Sequence, residues 1–387
     1  MADSGGRSPF ARWFGDLDYL QLGVMLALLT VGLIFIRSTG IQVDTSASRA
    51  FFGKQLRWIL WGGVLYGALA AADYRAFPLR LLAFGGYAVV LALLAAVLIF
   101  GRPVSGAARW LELGGFRLQP SEPAKLFIIC ALAAVFAAPR ARANPGTALL
   151  AALGMVLPPF LLIAVEPDLG SALILIPILG SMLFCFGVRW RYVLLALVLT
   201  ALAALLVLAD CFYLKKPLFL RSYQVDRIKV FVHPERDIRA RGSNAYQAMN
   251  SVGSGGLSGH GIGRGTQNEL GFLPQTVTNN DFIFSVLAEE TGFTGALFLL
   301  LLYALLLYSI LRTAVLVSGY GRFLAVGVGT MIFCHIFINI GMNIGIAPIT
   351  GLPLPLVSYG GSFTLTGMGT LGLMQSVYRI HRAETEE

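Results

Sequence analysis

Apolar residues in this chain come in long unbroken runs, not in the one-sided stripes that pack against a soluble core. Runs near 18–38, 56–72, 79–101, 122–138, 146–165, 169–187, 191–212, 281–311, 322–344 and 360–378 are each long enough, as helices, to cross a hydrocarbon layer of roughly 30 Å. The pattern predicts an all-α integral membrane protein, a polytopic bundle of about ten transmembrane helices forming one domain over 1–387, with both termini on one side. A polar stretch, 213–280, separates helices 7 and 8 as a large extracytoplasmic loop. Its first half interleaves Lys216, Arg221, Arg227 and Lys229 with Phe219, Tyr223 and Ile228, as an amphipathic interfacial helix does, and its second half is rich in glycine.

Composition agrees with lipid as the solvent: 57% of the residues are apolar and 13% charged, more apolar surface than a soluble core buries. The net charge of +9 sits in short clusters between apolar runs and forms no basic tract, so nucleic acid is not the expected partner. Arg75, Arg80, Arg140, Arg142, Arg189, Arg191, Arg312, Arg322, Arg379 and Arg382 all fall on the side of the termini, which makes that side cytoplasmic. The opposite side carries the segments 101–121, 166–170, 213–280 and 345–361, so chemistry is expected at the extracytoplasmic face.

Ionisable groups at membrane depth are costly and are therefore paired or functional. Glu122 and Lys125, in SEPAKL, share one helix face at i,i+3, suited both to an ion pair and to a substrate phosphate. In VEPDLGS, Glu166 and Asp168 flank a helix-to-helix turn, where Asp168 could simply cap a helix. Asp281 opens an apolar helix directly after the long polar loop, with Glu289 and Glu290 two turns in. Asn279 and Asn280 could have capped that helix equally well, so Asp281 reads as functional and the two glutamates as structural. Other candidates are Arg109 and Trp110 in GAARWLELGG, Arg264 in the glycine-rich run, and Ser358 in GLPLPLVSYGG, whose prolines preclude a regular helix. The four histidines, His335 among them, lack metal spacing, and His335 reads as a satisfied bundle residue.

Together the stretches GAARWLELGGFRLQPSEPAKL, EPDLGSAL, VDRIKVFVHPERD with YQAMNSVGSGGLSGHGIGRGTQNELGFLP, NDFIFSVLAEETGFTG and NIGMNIGIAPITGLPLPLVSYGGS resemble the SEDS family (shape, elongation, division and sporulation) over nearly the whole chain, its elongation branch more than its division branch. The resemblance implies a peptidoglycan glycosyltransferase of the bacterial inner membrane. Such an enzyme polymerises lipid II during cell elongation and releases undecaprenyl pyrophosphate, and the aspartate of the DFIF motif, here Asp281, is its catalytic residue. It also implies a class B penicillin-binding protein, a transpeptidase, and other elongation-complex proteins as partners. The chain departs from the family pattern at Asn279 and Asn280, where a His-Thr pair is usual, and at Glu166, where Gln is common.

Glycosyl transfer from a diphosphate needs one base and no strong acid, because the leaving group is a stable anion. Asp281 is the expected base. Arg109, Trp110, Glu122, Lys125, Asp168, Arg264 and Ser358 are the expected substrate-binding set, and Glu166 with Asp168 is a candidate site for a divalent cation, Mg or Mn, with no organic cofactor. A lipid II flippase and a division-type polymerase are the alternatives. A transporter is expected to keep its unusual residues near the midplane, whereas an enzyme of this kind gathers them at one face.

Overall fold

Asp18 starts the first span: its carboxylate accepts the N–H groups of Leu20 and Gln21, and the helix runs Tyr19–Ser38 (α1). The computed structural model describes residues 15–39, 45–75, 79–104, 107–113, 116–189, 241–265 and 278–386, with isolated positions between 191 and 231. After α1 come α2 (Thr45–Ala71) and α3 (Leu79–Phe100), then α4 (Ser121–Ala137), the short α5 (Pro139–Ala143), α6 (Pro145–Val165) and α7 (Leu169–Phe186). Prolines at the first turns of α5 and α6 supply starts that lose no hydrogen bond, and Gly187, at φ +93°, closes α7 in the left-handed conformation. The chain continues through α8 (Arg241–Ser254), α9 (Ile283–Leu316), α10 (Tyr320–Asn343) and α11 (Gly361–Glu386).

Among the described residues six helices (α1, α3, α6, α7, α9 and α10) are long and apolar enough to cross a membrane. The chain is a multi-pass membrane protein. The predicted runs at 56–72, 122–138 and 360–378 are helical as well, in α2, α4 and α11; α2 and α11 carry more polar side chains, and α4 is shorter, at 17 residues. The run at 191–212 and the predicted interfacial helix in 213–240 lie outside the described residues, isolated positions apart. In lipid, helices associate by close packing, so small residues matter. The most extensive contact joins α11 to α2, and Gly372 permits it: a Cβ there would meet the Tyr66 carbonyl oxygen at 2.6 Å.

Two features depart from the all-helical expectation. The segment between α3 and α4 is a small antiparallel meander, β1 (Arg102–Val104), β2 (Ala107–Leu113) and β3 (Phe116–Leu118). Ladder bonds between its strands satisfy its backbone polar groups. The second departure is in α9, which breaks at Gly292 (φ 69°, ψ −165°), separating a half-helix, 283–291, from the spanning part.

Candidate active site

The half-helix that follows Asp281 is built by two glycine-dependent contacts. At its far end the turn after α8 docks on the break: His260 and Gly261 N–H groups donate to the Glu289 and Glu290 carbonyls, and Phe293 and Thr294 N–H groups donate to the Gly256 and Leu257 carbonyls. Backbones come this close only without side chains, since a Cβ on Gly259 would lie 2.3 Å from the Glu290 oxygen and one on Gly292 2.4 Å from the Gly259 nitrogen. Glu290 is buried and accepts the Ser38 hydroxyl at the end of α1 (2.7 Å), which supports the structural role expected of it.

At the near end the cap position falls on Phe282, so Asp281 is not the helix cap. Its carbonyl accepts the side-chain amides of Asn339 (3.0 Å) and Asn343 (3.1 Å) from α10, while its carboxylate is half-buried. Gly351, at φ +76°, sits beside that carboxylate; a Cβ on it would lie 3.5 Å from Oδ2. The buried Asn279 side chain accepts the Thr39 hydroxyl (2.6 Å), and its carbonyl accepts the Tyr359 N–H (2.9 Å).

One face of α10 connects this aspartate to the ion pair predicted on α4. His335, Asn339 and Asn343 recur every four residues, about 6 Å of rise apart. Lys125, fully buried, lies 2.9 Å from Glu122 Oε1 and 2.9 Å from His335 Nε2. The ammonium donates to both, so the His335 proton resides on Nδ1. His335 is buried in the bundle with a partner, as expected, and that partner is the predicted site residue Lys125. A cavity of about 30 Å³, room for one water, opens beside Glu122 and His335 between α10 and α11.

Asp168 does cap α7, accepting the Ser171 N–H (3.4 Å), but it also accepts from Gln119 (3.0 Å) and Ser121 (3.3 Å) at the start of α4 and lies 3.6 Å from Arg109. Strand alternation on β2 turns Arg109 toward the α6–α7 turn, where it also donates to the Pro167 carbonyl, and turns Trp110 to the other face. Glu166 is almost fully buried, and its carboxyl is pushed up to about 8 by that burial, then by Asp168, with Arg109 opposing. Asp168 already holds Ser171, Gln119, Ser121 and Arg109, so its carboxylate serves the protein's own donors. Among the described residues no group of three or more His, Cys, Asp or Glu side chains is placed to hold a metal.

Two of the expected binding residues are placed differently. Ser358 is fully buried; its hydroxyl donates to the Asn280 carbonyl and accepts the Leu354 N–H (2.8 Å), so it fastens two loops and its one donor is already used. Arg264 is exposed on the turn docked at Glu289 and Glu290, about 12 Å of helix rise from Asp281. Residues that the sequence reading passed over enter instead. Arg57 on α2, inside the predicted apolar run at 56–72, and Arg117 on β3 are exposed and close enough to Tyr359 to oppose the upward push of burial on its phenol.

The sequence profile of a family described as "Cell cycle protein" (FtsW, RodA, SpoVE) matches residues 19–384. The chain is 38% identical to the peptidoglycan glycosyltransferase MrdB of Escherichia coli K12, over 96% of each protein. It is 34% identical to the peptidoglycan glycosyltransferase RodA of Treponema pallidum, over 95% of this chain and 98% of that one. A chain solved within a peptidoglycan synthase complex that coordinates polymerization and crosslinking superposes with a TM-score of 0.76 at 30% identity, covering 94% of this chain and 98% of its own.

Proposed function

This chain belongs to the FtsW, RodA and SpoVE family of cell cycle proteins, and from that premise we infer that it is a peptidoglycan glycosyltransferase that polymerises lipid II, with Asp281 as general base. The observation that carries the role of Asp281 is its mounting: the main chain is clamped by α10 while the carboxylate stays half-buried at the Gly351 loop. Such a carboxylate can take the proton of an acceptor sugar hydroxyl as the hydroxyl oxygen bonds to the anomeric carbon of the growing chain. The bond from that carbon to the diphosphate oxygen breaks, and undecaprenyl pyrophosphate leaves as an anion. Lys125 and Arg109 supply positive potential for that charge from buried and half-buried positions, and Glu122 and Asp168 hold the two cations in place. Trp110 and Arg264 sit at the periphery, where they can meet sugar or headgroup. A Mg or Mn ion would serve here as a counter-ion bound to the substrate diphosphate.

The polar chemistry lies at the end of the bundle opposite Asp18, and Arg75, Arg140, Arg312 and Arg379 lie at the Asp18 end, so we assign the termini to the cytoplasm and the site to the extracytoplasmic face of the inner membrane. The clustering at one end favours an enzyme over a flippase. The higher identity to MrdB than to the FtsW relatives favours elongation over division. A class B penicillin-binding protein fits as partner, as the solved complex joins polymerization to crosslinking.

The test is polymerisation of labelled lipid II by purified protein, with its transpeptidase present. Asp281→Asn is expected to lower turnover by about 10²- to 10⁴-fold without loss of fold. Wild-type turnover in that variant would remove Asp281 from the mechanism; lipid II scrambling without polymer from the wild type would favour the flippase.

A further inference from the structure

Asn339 spends both amide hydrogens at one junction. Its Nδ2 donates to the Asp281 carbonyl (3.0 Å) and to the Leu352 carbonyl (2.7 Å), and the residue is fully buried. Asn343, one turn on and equally buried, donates to the Asp281 carbonyl (3.1 Å) and to the Asn339 carbonyl (2.8 Å). Both lone pairs of the Asp281 carbonyl are thereby filled from a single rigid helix, and the Gly351–Leu352 loop is held to the same point.

We propose that Asn339 and Asn343 are positioning residues for glycosyl transfer: they fix the Asp281 carboxylate against the Gly351 loop by clamping the aspartate's own main chain. The proposal rests on the reading of Asp281 as the base. Two loops that lack regular structure, 278–282 and 351–360, meet at the aspartate, and neither has a ladder to set its position. The helix does so instead. Its next polar residue in the same register, His335, contacts Lys125, so one helix contacts both the aspartate and the buried cation. Ser358, which ties Asn280 to Leu354, closes the junction from the opposite side.

A displacement of the base by about 1 Å can cost on the order of 10²-fold in rate while leaving substrate affinity alone. Asn339→Leu keeps a branched side chain of four heavy atoms and removes the donors. It is therefore expected to lower kcat for lipid II polymerisation by about 10- to 100-fold with KM changed by less than about twofold. Asn343→Leu, which leaves both bonds of Asn339 in place, is expected to lower kcat by about 3- to 10-fold. The two should combine less than multiplicatively, since they share one carbonyl.

A purely structural role predicts a different pattern: a lower thermal midpoint, with unchanged kcat per folded molecule below that midpoint. Unchanged kcat in Asn339→Leu, or a KM that rises as kcat falls, overturns the proposal. If Asn339→Leu does not fold, Asn343→Leu decides alone, and full activity in it overturns the clamp. Asp281→Asn run in parallel separates the two readings. An active Asp281→Asn removes the base itself, whereas an inactive Asp281→Asn beside fully active Asn339→Leu and Asn343→Leu removes only the clamp.

Discussion

Asp18 and Asp281 both stand just ahead of a helix at opposite ends of the bundle, and they are held in opposite ways. Asp18 is buried with both carboxylate oxygens occupied, Oδ1 by the Leu20 and Gln21 N–H groups and Oδ2 by Ser309 (2.6 Å) and Arg312 (2.8 Å). Asp281 is anchored through its carbonyl and leaves the cap position to Phe282. Asp168 sides with Asp18, its oxygens taken by Ser171, Gln119 and Ser121. An aspartate at a helix start is a fastener when its side chain carries the anchoring bonds, and can be a reagent when its main chain does.

The comparison is sharpened most by the group that shares both properties, the buried Glu122–Lys125 pair. Lys125→Met strands the Glu122 carboxylate in the bundle and should cost about 3–5 kcal/mol, read as a lower thermal midpoint. Glu122→Gln combined with Lys125→Met should recover most of that stability. If polymerisation stays low in the recovered double variant, the lysine charge acts on the reaction; if activity returns with stability, the pair belongs with Asp18 among the fasteners. A smaller effect is expected at Asp18 itself. Asp18→Ala removes a helix cap and the Ser309 bond and should cost about 1–2 kcal/mol, with little added by Arg312, whose side chain reaches water. Turnover per folded molecule should stay within about twofold of wild type, as for a change that touches no transition-state contact. A fall comparable to that of Asp281→Asn would break the distinction between the two aspartates.

The helical spans were legible because hydropathy is additive along the chain, and Asp281 stood out as a candidate because a carboxylate at membrane depth is conspicuous. The β-meander was not, since GRPVSGAARWLELGGFRL is short and mixed in polarity. The half-helix was hidden too: Gly292 lies in ETGFTG, where nothing local shows that a distant glycine turn will complete the broken backbone bonds. Ser358 looked like a substrate-binding group in SYGG because a sequence does not reveal whether a hydroxyl's partners are already present. His335, Asn339 and Asn343 did carry a signal, three polar residues at i, i+4 and i+8 on one face of a largely apolar helix, which a search for metal spacing alone passes over.

The mildest test concerns a carboxyl that is neither fastener nor reagent. Glu166 is buried, with Oε1 lacking any partner, and its neighbour Asp168 takes the nearby donors. In the folded protein its proton is held up to about 8, whereas the unfolded chain releases it at the ordinary 4.5. Between those values the folded state binds more protons than the unfolded one, so this residue makes stability fall as pH rises through that window. The contribution is about 1 kcal/mol between pH 6 and pH 7. Glu166→Gln, which mimics the protonated carboxyl, should match the wild-type thermal midpoint at the acid end of the window and exceed it increasingly toward pH 8. Parallel midpoint curves for the two proteins would mean that Glu166 is already ionised at neutrality and held by Arg109, which would place it with Asp18 and Asp168 as a third carboxylate locked by its side chain.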